Sequence, residues 1–247
     1  MYLILTKKRV GNMLIDMHAH SAGISKCCKI DGENMLLVSK AKGINGVVLT
    51  NHYDKSYITV DEKELAKRYV DEFYYVKECG IKHDMKVFFG IEVTMAKHNN
   101  VHMLIYGVDC DFLLKYPNIY EYEQKDLYEL VKQYGGILVQ AHPLRKGKNV
   151  LLNLDYLDGV EINCHPLYVG SHLGCLSDLA ISNKLILTCG GDFHNDTRRV
   201  KCGVYFPDEL NDIKDVVSYL NDTKSIELCI EEPDSEKTYN YTYKKEL

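Results

Sequence analysis

The chain of 247 residues has no tryptophan, only five prolines and no stretch rich in proline or serine. It also contains no internal repeat of fixed period. Because linkers and repeats are the usual marks of a domain boundary, their absence predicts a single domain over residues 1–247. With 46% of its residues apolar, the chain can bury a full core, which excludes the disordered and fibrous classes.

Long hydrophobic runs are missing as well. No apolar stretch approaches the eighteen or so residues that a membrane-spanning helix needs, so we expect no membrane partner. The chain begins with a short apolar run that precedes Lys7, Lys8 and Arg9, and it shows no cleavage-type segment. This order predicts that the start is not a signal peptide.

The chain has little net charge and no glycine-rich phosphate loop. A formal charge of −5 provides no general attraction for polyanions, so we expect nucleic acid to bind only as a short oligonucleotide or nucleotide. Neither GxGxxG after the first predicted strand nor GxxxxGK followed by Ser or Thr occurs. A nucleotide cofactor is therefore not expected.

Nine cysteines are scattered along the chain without a CxxC pair. Their odd number and irregular spacing argue against a structural zinc ribbon. We expect mostly free, buried thiols in a cytoplasmic protein, because the cytoplasm keeps thiols reduced.

Short apolar or β-branched runs recur along the chain, and most are followed by a longer amphipathic stretch. Seven runs are predicted to be strands: 13–17, 46–50, 86–93, 102–108, 136–141, 159–162 and 185–189. Four stretches are predicted to be helices: 33–42, 62–79, 119–134 and 172–183. The link between the third and fourth strands is too short for a crossover helix, which predicts a local hairpin.

Strands that alternate with helices indicate an α/β fold with a mainly parallel sheet. At this length a βα barrel is the natural closed form, and an open doubly wound sheet is the alternative. In both folds the carboxyl ends of the strands meet on one face, where catalytic residues assemble.

Residue types that bind metals fall at the predicted strand boundaries. They are Asp16, His18, His20, His52, Glu92, His102, His142, Asp192 and His194. His18 and His20 are separated by one residue, so on an extended strand both point to the same face and can bind one ion. Several imidazoles with one or two carboxylates suit Zn, Mn or Fe, and a carboxylate such as Glu92 can bridge two ions.

The remaining histidines are weaker candidates. His83 and His98 lie in polar turns, and His172 begins a predicted helix, where solvated or capping roles are expected. His165 follows the strand at 159–162, and its role as a pocket residue or as a loop residue stays open.

Taken in order, seven short motifs resemble the PHP (polymerase and histidinol phosphatase) family of metal-dependent phosphoesterases. They are Asp16-Met-His18-Ala-His20-Ser21, Gly46-Val-Val-Leu-Thr50-Asn-His52, Gly90-Ile-Glu92, Val101-His102, Ala141-His142-Pro143, Gly159-Val-Glu161 and Gly191-Asp192-Phe193-His194. They span residues 13 to about 205. Each motif is common on its own, but the ordered set is specific.

The resemblance implies a distorted seven-stranded βα barrel with two or three divalent metal ions. It implies three ligand sets: His18, His20, Glu92 and Asp192 for the first ion; Glu92, His102 and His142 for the second; His52 and His194 for the third. Family members with three ions usually supply another histidine shortly after the HxH pair. Here Cys27 occupies the corresponding place, either as a thiolate ligand or as a buried free thiol.

The resemblance further implies a phosphoesterase. Metal-activated hydroxide would attack the phosphorus of a phosphomonoester or short nucleotide phosphoester. Asp192, His194 and His52 are the catalytic candidates, because each can also give a proton to the leaving alkoxide if the third site is empty. Asp16, beside the HxH pair, is expected to orient an imidazole.

One arginine is a candidate for binding the substrate phosphate. Arg145 follows His142 by three residues, and a guanidinium matches phosphate oxygens in a bidentate way. A solvated loop arginine is the alternative interpretation. Arg198 and Arg199 are weaker candidates for the same role.

Two other functions remain open. An amidohydrolase also has HxH on its first strand and acts on a carbon centre, but it normally adds a metal-bridging lysine, where this chain has Glu92. The other alternative is a PHP-like module that keeps its metals for structure or for binding a partner. The nearly complete set of ligand positions argues against that third function.

Overall fold

The computed structural model describes residues 13–59, 61–99, 101–145, 151–194 and 198–245. The first twelve residues, where we expect no signal peptide, lie outside the described residues. The described strands are β1 (Met13–Ala19), β2 (Gly46–Leu49), β3 (His52–Tyr53), β4 (Lys86–Phe89), β5 (Ile91–Met95), β6 (Val101–Tyr106), β7 (Ile137–Gln140), β8 (Gly159–Asn163), β9 (Ile186–Gly190), β10 (Gly203–Phe206), β11 (Ser225–Glu231) and β12 (Thr238–Lys244). The described α-helices are α1 (Gly32–Ala41), α2 (Glu62–Lys82), α3 (Cys110–Lys115), α4 (Gln124–Gln133), α5 (Leu173–Ser182) and α6 (Ile213–Asp222).

The strands form two six-stranded sheets. One has the order β12-β11-β10-β1-β2-β4, and the other has the order β3-β5-β6-β7-β8-β9. The pairs β1/β2, β2/β4, β3/β5, β7/β8 and β8/β9 are parallel. Between the sheets, the described residues contain one isolated parallel bridge, from Ala19 to Phe193.

The mixed α/β class is confirmed, but the structure differs from the expected seven-stranded barrel. Within the described residues, backbone hydrogen bonds do not close the sheets into a barrel, and twelve strands replace seven. The chain passes from one sheet to the other at Gly90, between β4 and β5. A Cβ there would lie 2.6 Å from Val48 Cγ1, so the close approach requires glycine.

The predicted hairpin is present. β5 pairs antiparallel with β6, and Thr94 lies opposite His102. This pairing brings the side chains of both strands to the same part of the sheet as β3. The antiparallel strands β10, β11 and β12 extend the other sheet and had no counterpart among the predicted strands.

The helices pack against the strands and bury their apolar sides. Helix α2 begins after its N-cap Asp61 and buries Leu65, Tyr69 and Phe73. It continues past the predicted end at Cys79, because Gly80 lies in the helix and packs closely against β4. The predicted helix at 119–134 is divided into a 3-10 turn (Ile119–Glu121) and α4, while α3 and α6 were not predicted.

All nine cysteines lie within the described residues, and none of them forms a disulfide bond there. Seven are buried, as expected, and Cys27 and Cys175 are exposed. The expectation of a buried thiol is wrong for Cys175, which lies on the exposed side of α5. No helix of the described chain is both long enough and apolar enough to cross a membrane.

Candidate metal centre

The eight side chains predicted to bind metal meet in one cluster at the strand ends. Their positions are His18 on β1, His20 directly after it, His52 on β3, Glu92 on β5, His102 on β6, His142 after β7, and Asp192 and His194 after β9. Seven of the eight are buried, and His102 is partly buried. Residues far apart in sequence therefore share one water-poor site.

Glu92 lies at the centre of this cluster. Its Oε2 atom is 2.6 Å from His52 Nδ1, 3.3 Å from His18 Nε2 and 3.4 Å from His20 Nε2. Its Oε1 atom is 2.8 Å from His102 Nδ1 and 3.2 Å from His142 Nε2.

Such a carboxylate contacts five imidazoles through two oxygens. The arrangement suits a group that shares its oxygens between neighbouring cations.

Asp192 provides the second carboxylate. Its Oδ1 atom lies 3.1 Å from His20 Nε2 and 3.5 Å from His18 Nε2. The backbone of Asp192 has φ +49°, and that of His142 has φ +32°. Non-glycine residues rarely adopt such values, and strained conformations of this kind cluster at functional sites.

Three subsets of the cluster have ligand atoms that all lie within 4.8 Å of one another. They are His18, His20, Glu92 and Asp192; His52, Glu92 and His102; and His20, His52 and His194. The first subset matches the first expected ligand set. The others differ in detail, since His52 groups with Glu92 and His102, and His20 joins His52 and His194.

The buried atoms of the cluster fit a divalent cation. His18 Nε2 and Glu92 Oε2 are both buried, and within the described residues neither makes a hydrogen bond of acceptable geometry. A buried polar atom without a well-formed hydrogen bond is costly, and a cation placed between an imidazole nitrogen and a carboxylate oxygen would satisfy both. The donor set of imidazole and carboxylate suits Zn, Mn or Fe.

The carboxylates of the cluster are ionised. Burial alone would raise the pKa of Glu92, but His52, His18 and His102 hold it well below its usual range. Burial likewise opposes ionisation of Asp192, whose pKa is held well below its usual range by His18 and His20. Both groups are thus ready to bind cations at neutral pH.

The imidazoles differ in basicity because their surroundings differ. Burial lowers the pKa of His20, and His194 and His52 lower it further. Burial also disfavours the charged form of His52, but Glu92 outweighs it and raises the pKa of His52 to about 10. For His18, Glu161 and Glu92 outweigh burial and raise the pKa well above its usual range.

Comparisons with known proteins bear on this arrangement. No protein-family model matches the chain, and no curated protein matches it in sequence. Among solved structures, a two-domain protein from Bacteroides vulgatus containing a predicted PHP-like metal-dependent phosphoesterase superposes with a TM-score of 0.55. The match has 14% identity and covers 95% of this chain and 69% of that one. This chain has the fold of PHP-like metal-dependent phosphoesterases.

Two further neighbours carry other functions on this PHP-like fold. A lesion-specific endonuclease from Pyrococcus furiosus matches with a TM-score of 0.57 and 13% identity, over 87% of this chain and 57% of that one. An amidohydrolase from Chromobacterium violaceum matches with a TM-score of 0.55 and 13% identity, over 84% and 97%. At these identities the likeness concerns the fold alone.

Glu161 is a functional candidate to which sequence reasoning assigned no role. Its Oε1 atom lies 2.8 Å from His18 Nδ1, and its Oε2 atom accepts the backbone N–H of His142 at 2.9 Å. The contact between Glu161 and Nδ1 fixes the orientation of the His18 ring, so that Nε2 faces Glu92. An acidic residue in the strand motif Gly159-Val-Glu161 was the available signal.

Asp16 differs from its expected role. Its Oδ1 atom accepts the backbone N–H groups of His18 at 3.0 Å and Gly191 at 2.9 Å, and its Oδ2 atom is 2.6 Å from Arg199 Nη2. Asp16 thus orients the backbone on both sides of the site, whereas the imidazole contact belongs to Glu161.

The arginine candidates occupy different surroundings. Arg145 is partly buried and lines the cavity beside the metal cluster, which has a volume of about 480 Å³. Its guanidinium carbon lies 4.9 Å from the ring centroid of Tyr168. Arg198 forms ion pairs with Glu231 and Glu236, and Arg199 is paired with Asp16.

Tyr168 was missed by sequence reasoning. Its hydroxyl donates a hydrogen bond to Asp192 Oδ2 at 2.8 Å, so it connects a carboxylate of the cluster with Arg145. Cys27 and His165 line the same cavity. One tyrosine among nineteen in the chain offers no local signal for this position.

Two of the histidines considered weaker lie away from the cluster. His83 Nε2 is 2.7 Å from Glu33 Oε1, and His98 Nε2 accepts the backbone N–H of Gln124 at 3.2 Å. His172 is the N-cap of α5 with φ +55° and makes no side-chain cap hydrogen bond. It lines a second cavity, beyond Arg145.

Proposed function

We propose that the protein is a metal-dependent phosphoesterase that hydrolyses a phosphomonoester or a short nucleotide phosphoester. The observation that carries this proposal is Glu92, whose two oxygens face five imidazoles beside a cavity that also contains Arg145. Divalent cations held by these residues, next to a guanidinium, would suit a substrate that is itself a dianion. The PHP-like fold supports the same class of reaction.

The proposed ligands retain the three expected sets. His18, His20, Glu92 and Asp192 hold the first ion, Glu92, His102 and His142 the second, and His52 with His194 the third. When bound, divalent Zn, Mn or Fe would activate water and neutralise charge on the phosphoryl oxygens.

The chain's own residues have three tasks in this proposal. Arg145 binds the phosphate, since its guanidinium can offer two parallel N–H donors. Tyr168 holds Asp192 Oδ2 and stacks near Arg145, so it fixes the distance between the phosphate clamp and the cluster. If the third site is empty, His52 or His194, whose Nε2 atoms lie 3.4 Å apart, would give a proton to the leaving alkoxide. Asp192 is less suited to this role, because its carboxyl group is ionised in the metal-free cluster.

Cys27 is proposed as the additional ligand of the third ion. It lines the cavity with His52 and His194. Burial would raise the pKa of the Cys27 thiol, but hydrogen bonds to His194 and His52 lower it to about 6. A thiolate beside two imidazoles is a suitable donor set for zinc.

An amidohydrolase is the second candidate, because one structural neighbour carries that function on a similar fold. The central group of the cluster is Glu92 rather than the lysine expected of that class. A metal-holding module without turnover is the third candidate.

The test combines elemental analysis of the purified protein with assays in added Mn, Zn or Fe. Phosphate release from phosphomonoesters that requires metal supports the proposal. Hydrolysis of amide or ring substrates without phosphate release would replace it with the amidohydrolase function. Tightly bound metal with no turnover on either substrate class would favour the third candidate, a metal-holding module without turnover.

A further inference from the structure

A second cavity adjoins the metal cluster. We call it the side cavity; it has a volume of about 350 Å³ and lies beyond Arg145. Arg145, Tyr168 and Val169 line both the side cavity and the metal-site cavity of about 480 Å³. The two spaces therefore meet at one wall, and a molecule bound at the cluster can extend into the second space.

The side cavity has apolar and aromatic walls. Leu144, Val169 and Leu176 line it, together with the rings of His142 and Tyr168, whose centroids are 6.0 Å apart in an edge-on arrangement. Edge-on and offset contacts are the arrangements that aromatic rings favour. The walls thus match a flat apolar group.

Several polar groups of the side cavity already have partners. Asn163 Nδ2 donates to Glu161 Oε2 at 3.0 Å. Ser171 donates from both its backbone N–H and its hydroxyl to Glu232, at 3.0 and 2.7 Å. An occupant consequently gains more from apolar contact than from hydrogen bonds to these groups.

The same contacts hold the cavity open. The anchor at Ser171 ties the segment 165–172 to Glu232, directly after β11. In the middle of the same segment, the hydroxyl of Tyr168 donates a hydrogen bond to Asp192. A preformed cavity binds its ligand without the entropy cost of ordering a loop.

We propose that the side cavity binds the alcohol portion of the substrate, and that this portion carries an uncharged aromatic ring. The inference rests on the proposed phosphoesterase function and narrows its substrate class. With the phosphate held between Arg145 and the cluster, the ester-linked group points past Tyr168 toward Leu144 and Leu176. The volume suits one ring with a short linker, within the lower range of ligand pockets.

Binding is tested on the metal-loaded protein with two non-hydrolysable probes, phenylphosphonate and methylphosphonate, by calorimetry. We expect phenylphosphonate to bind at least tenfold more tightly. Leu144 is 38% exposed and lines only the side cavity, so Leu144→Trp should fill the space without disturbing the core. It should abolish the tenfold preference and leave methylphosphonate binding unchanged.

The matched control is Leu151→Trp, since Leu151 is 37% exposed and lines neither cavity. It should retain the full preference. A second variant, Val169→Asp, places a charge at the shared wall on a residue that is 65% exposed, and it too should weaken phenylphosphonate binding. Equal affinity of the wild-type protein for both probes would overturn the inference.

Turnover separates this inference from the proposed function. Benzyl phosphate and glycerol phosphate both release an alcohol, so a difference in kcat/KM reports binding more than leaving-group chemistry. We expect at least a tenfold preference for benzyl phosphate, lost in Leu144→Trp. Equal kcat/KM values would refute the side-cavity assignment. Absence of all hydrolysis, with the phenylphosphonate preference intact, would refute the phosphoesterase function and leave the side cavity standing.

Discussion

Arg199 and Asp16 form a buried ion pair, with Nη2 2.6 Å from Oδ2, although 183 residues separate them in the chain. The other oxygen of Asp16 accepts the backbone N–H groups of His18 and Gly191. The pair therefore joins β1 to the segment that leads into Asp192. It positions two ligand-bearing strand ends without itself facing the metal cluster.

Removal of Arg199 should destabilise the protein. Arg199→Met leaves the Asp16 carboxylate charged and buried, and breaking one partner of a buried pair costs about 3–5 kcal/mol. Urea unfolding of the metal-free protein measures this loss. Arg198→Met, which removes a more exposed arginine, should cost much less. A loss below about 1 kcal/mol would contradict the role assigned to the pair.

Glu92→Gln should abolish metal binding while the fold persists. Glutamine keeps the shape of the side chain but removes the charge that the cluster needs. We expect phosphate release to fall at least about a hundredfold, since a bound metal supplies several kcal/mol of transition-state stabilisation. Elemental analysis and circular dichroism report the two effects separately. Full activity in Glu92→Gln would refute the metal mechanism, and Glu129→Gln, an exposed change, is the control.

Glu161→Gln should weaken metal binding without abolishing it. The Glu161 carboxylate holds His18 Nδ1, and loss of such a supporting contact typically lowers metal affinity about 10–100-fold. Metal titration should therefore show a shifted dissociation constant. Excess metal should restore turnover in Glu161→Gln but not in Glu92→Gln. Identical behaviour of the two variants would mean that Glu161 is a ligand itself.

Metal binding at pH 7 should release protons. The pKa of His52 is about 10 and that of His18 is well above its ordinary range in the metal-free cluster, so both are protonated at pH 7. Metals bind the neutral imidazole, so affinity should rise with pH. Calorimetry in buffers of different ionisation enthalpy counts the released protons. A buffer-independent enthalpy would disagree with this expectation.

The same two groups predict how the metal-free protein responds to pH. A raised pKa means that the folded chain holds the proton more tightly than the unfolded chain. The resulting stabilisation is full below the unfolded pKa of about 6.5 and is lost as pH rises through the folded pKa. Unfolding free energy without metal should therefore decline between about pH 6.5 and pH 10 through these histidines.

Cys27 can be tested with cobalt in place of the native metal. If its thiolate is a ligand, the cobalt-loaded protein should show a thiolate-to-cobalt charge-transfer band that Cys27→Ser removes. Cys175→Ser removes the other exposed thiol and should leave the band intact. A band that survives in Cys27→Ser, or no band at all in the cobalt-loaded wild type, would exclude Cys27 as a ligand.

Sequence patterns within single strands were sufficient to predict which side chains would gather at the strand ends. The HxH spacing puts His18 and His20 on one side of an extended strand, and the runs that precede His52, Glu92 and His142 are recognisably strands. Strands that run parallel deliver their ends to one face. The side chains that meet around Glu92 were therefore readable from the sequence before any distance was known.

Contacts between distant segments were not readable in this way. Periodicity reports which face of an element is apolar, but it contains no information on which polar group from another element meets that face. The contacts of Glu161 with His18 and of Tyr168 with Asp192 are of this kind. So is the passage from one sheet to the other at Gly90, which results from the close approach of β2.

The sequence by itself determined the α/β class, the hairpin of β5 and β6, and the residues that gather at the strand ends, because each follows from spacing along a single element. Only the tertiary structure decided the division into two sheets, the pairing of Asp16 with Arg199 and the side cavity behind Arg145. These features depend on how separate elements pack against one another, and packing is a property of pairs of surfaces rather than of one run of residues.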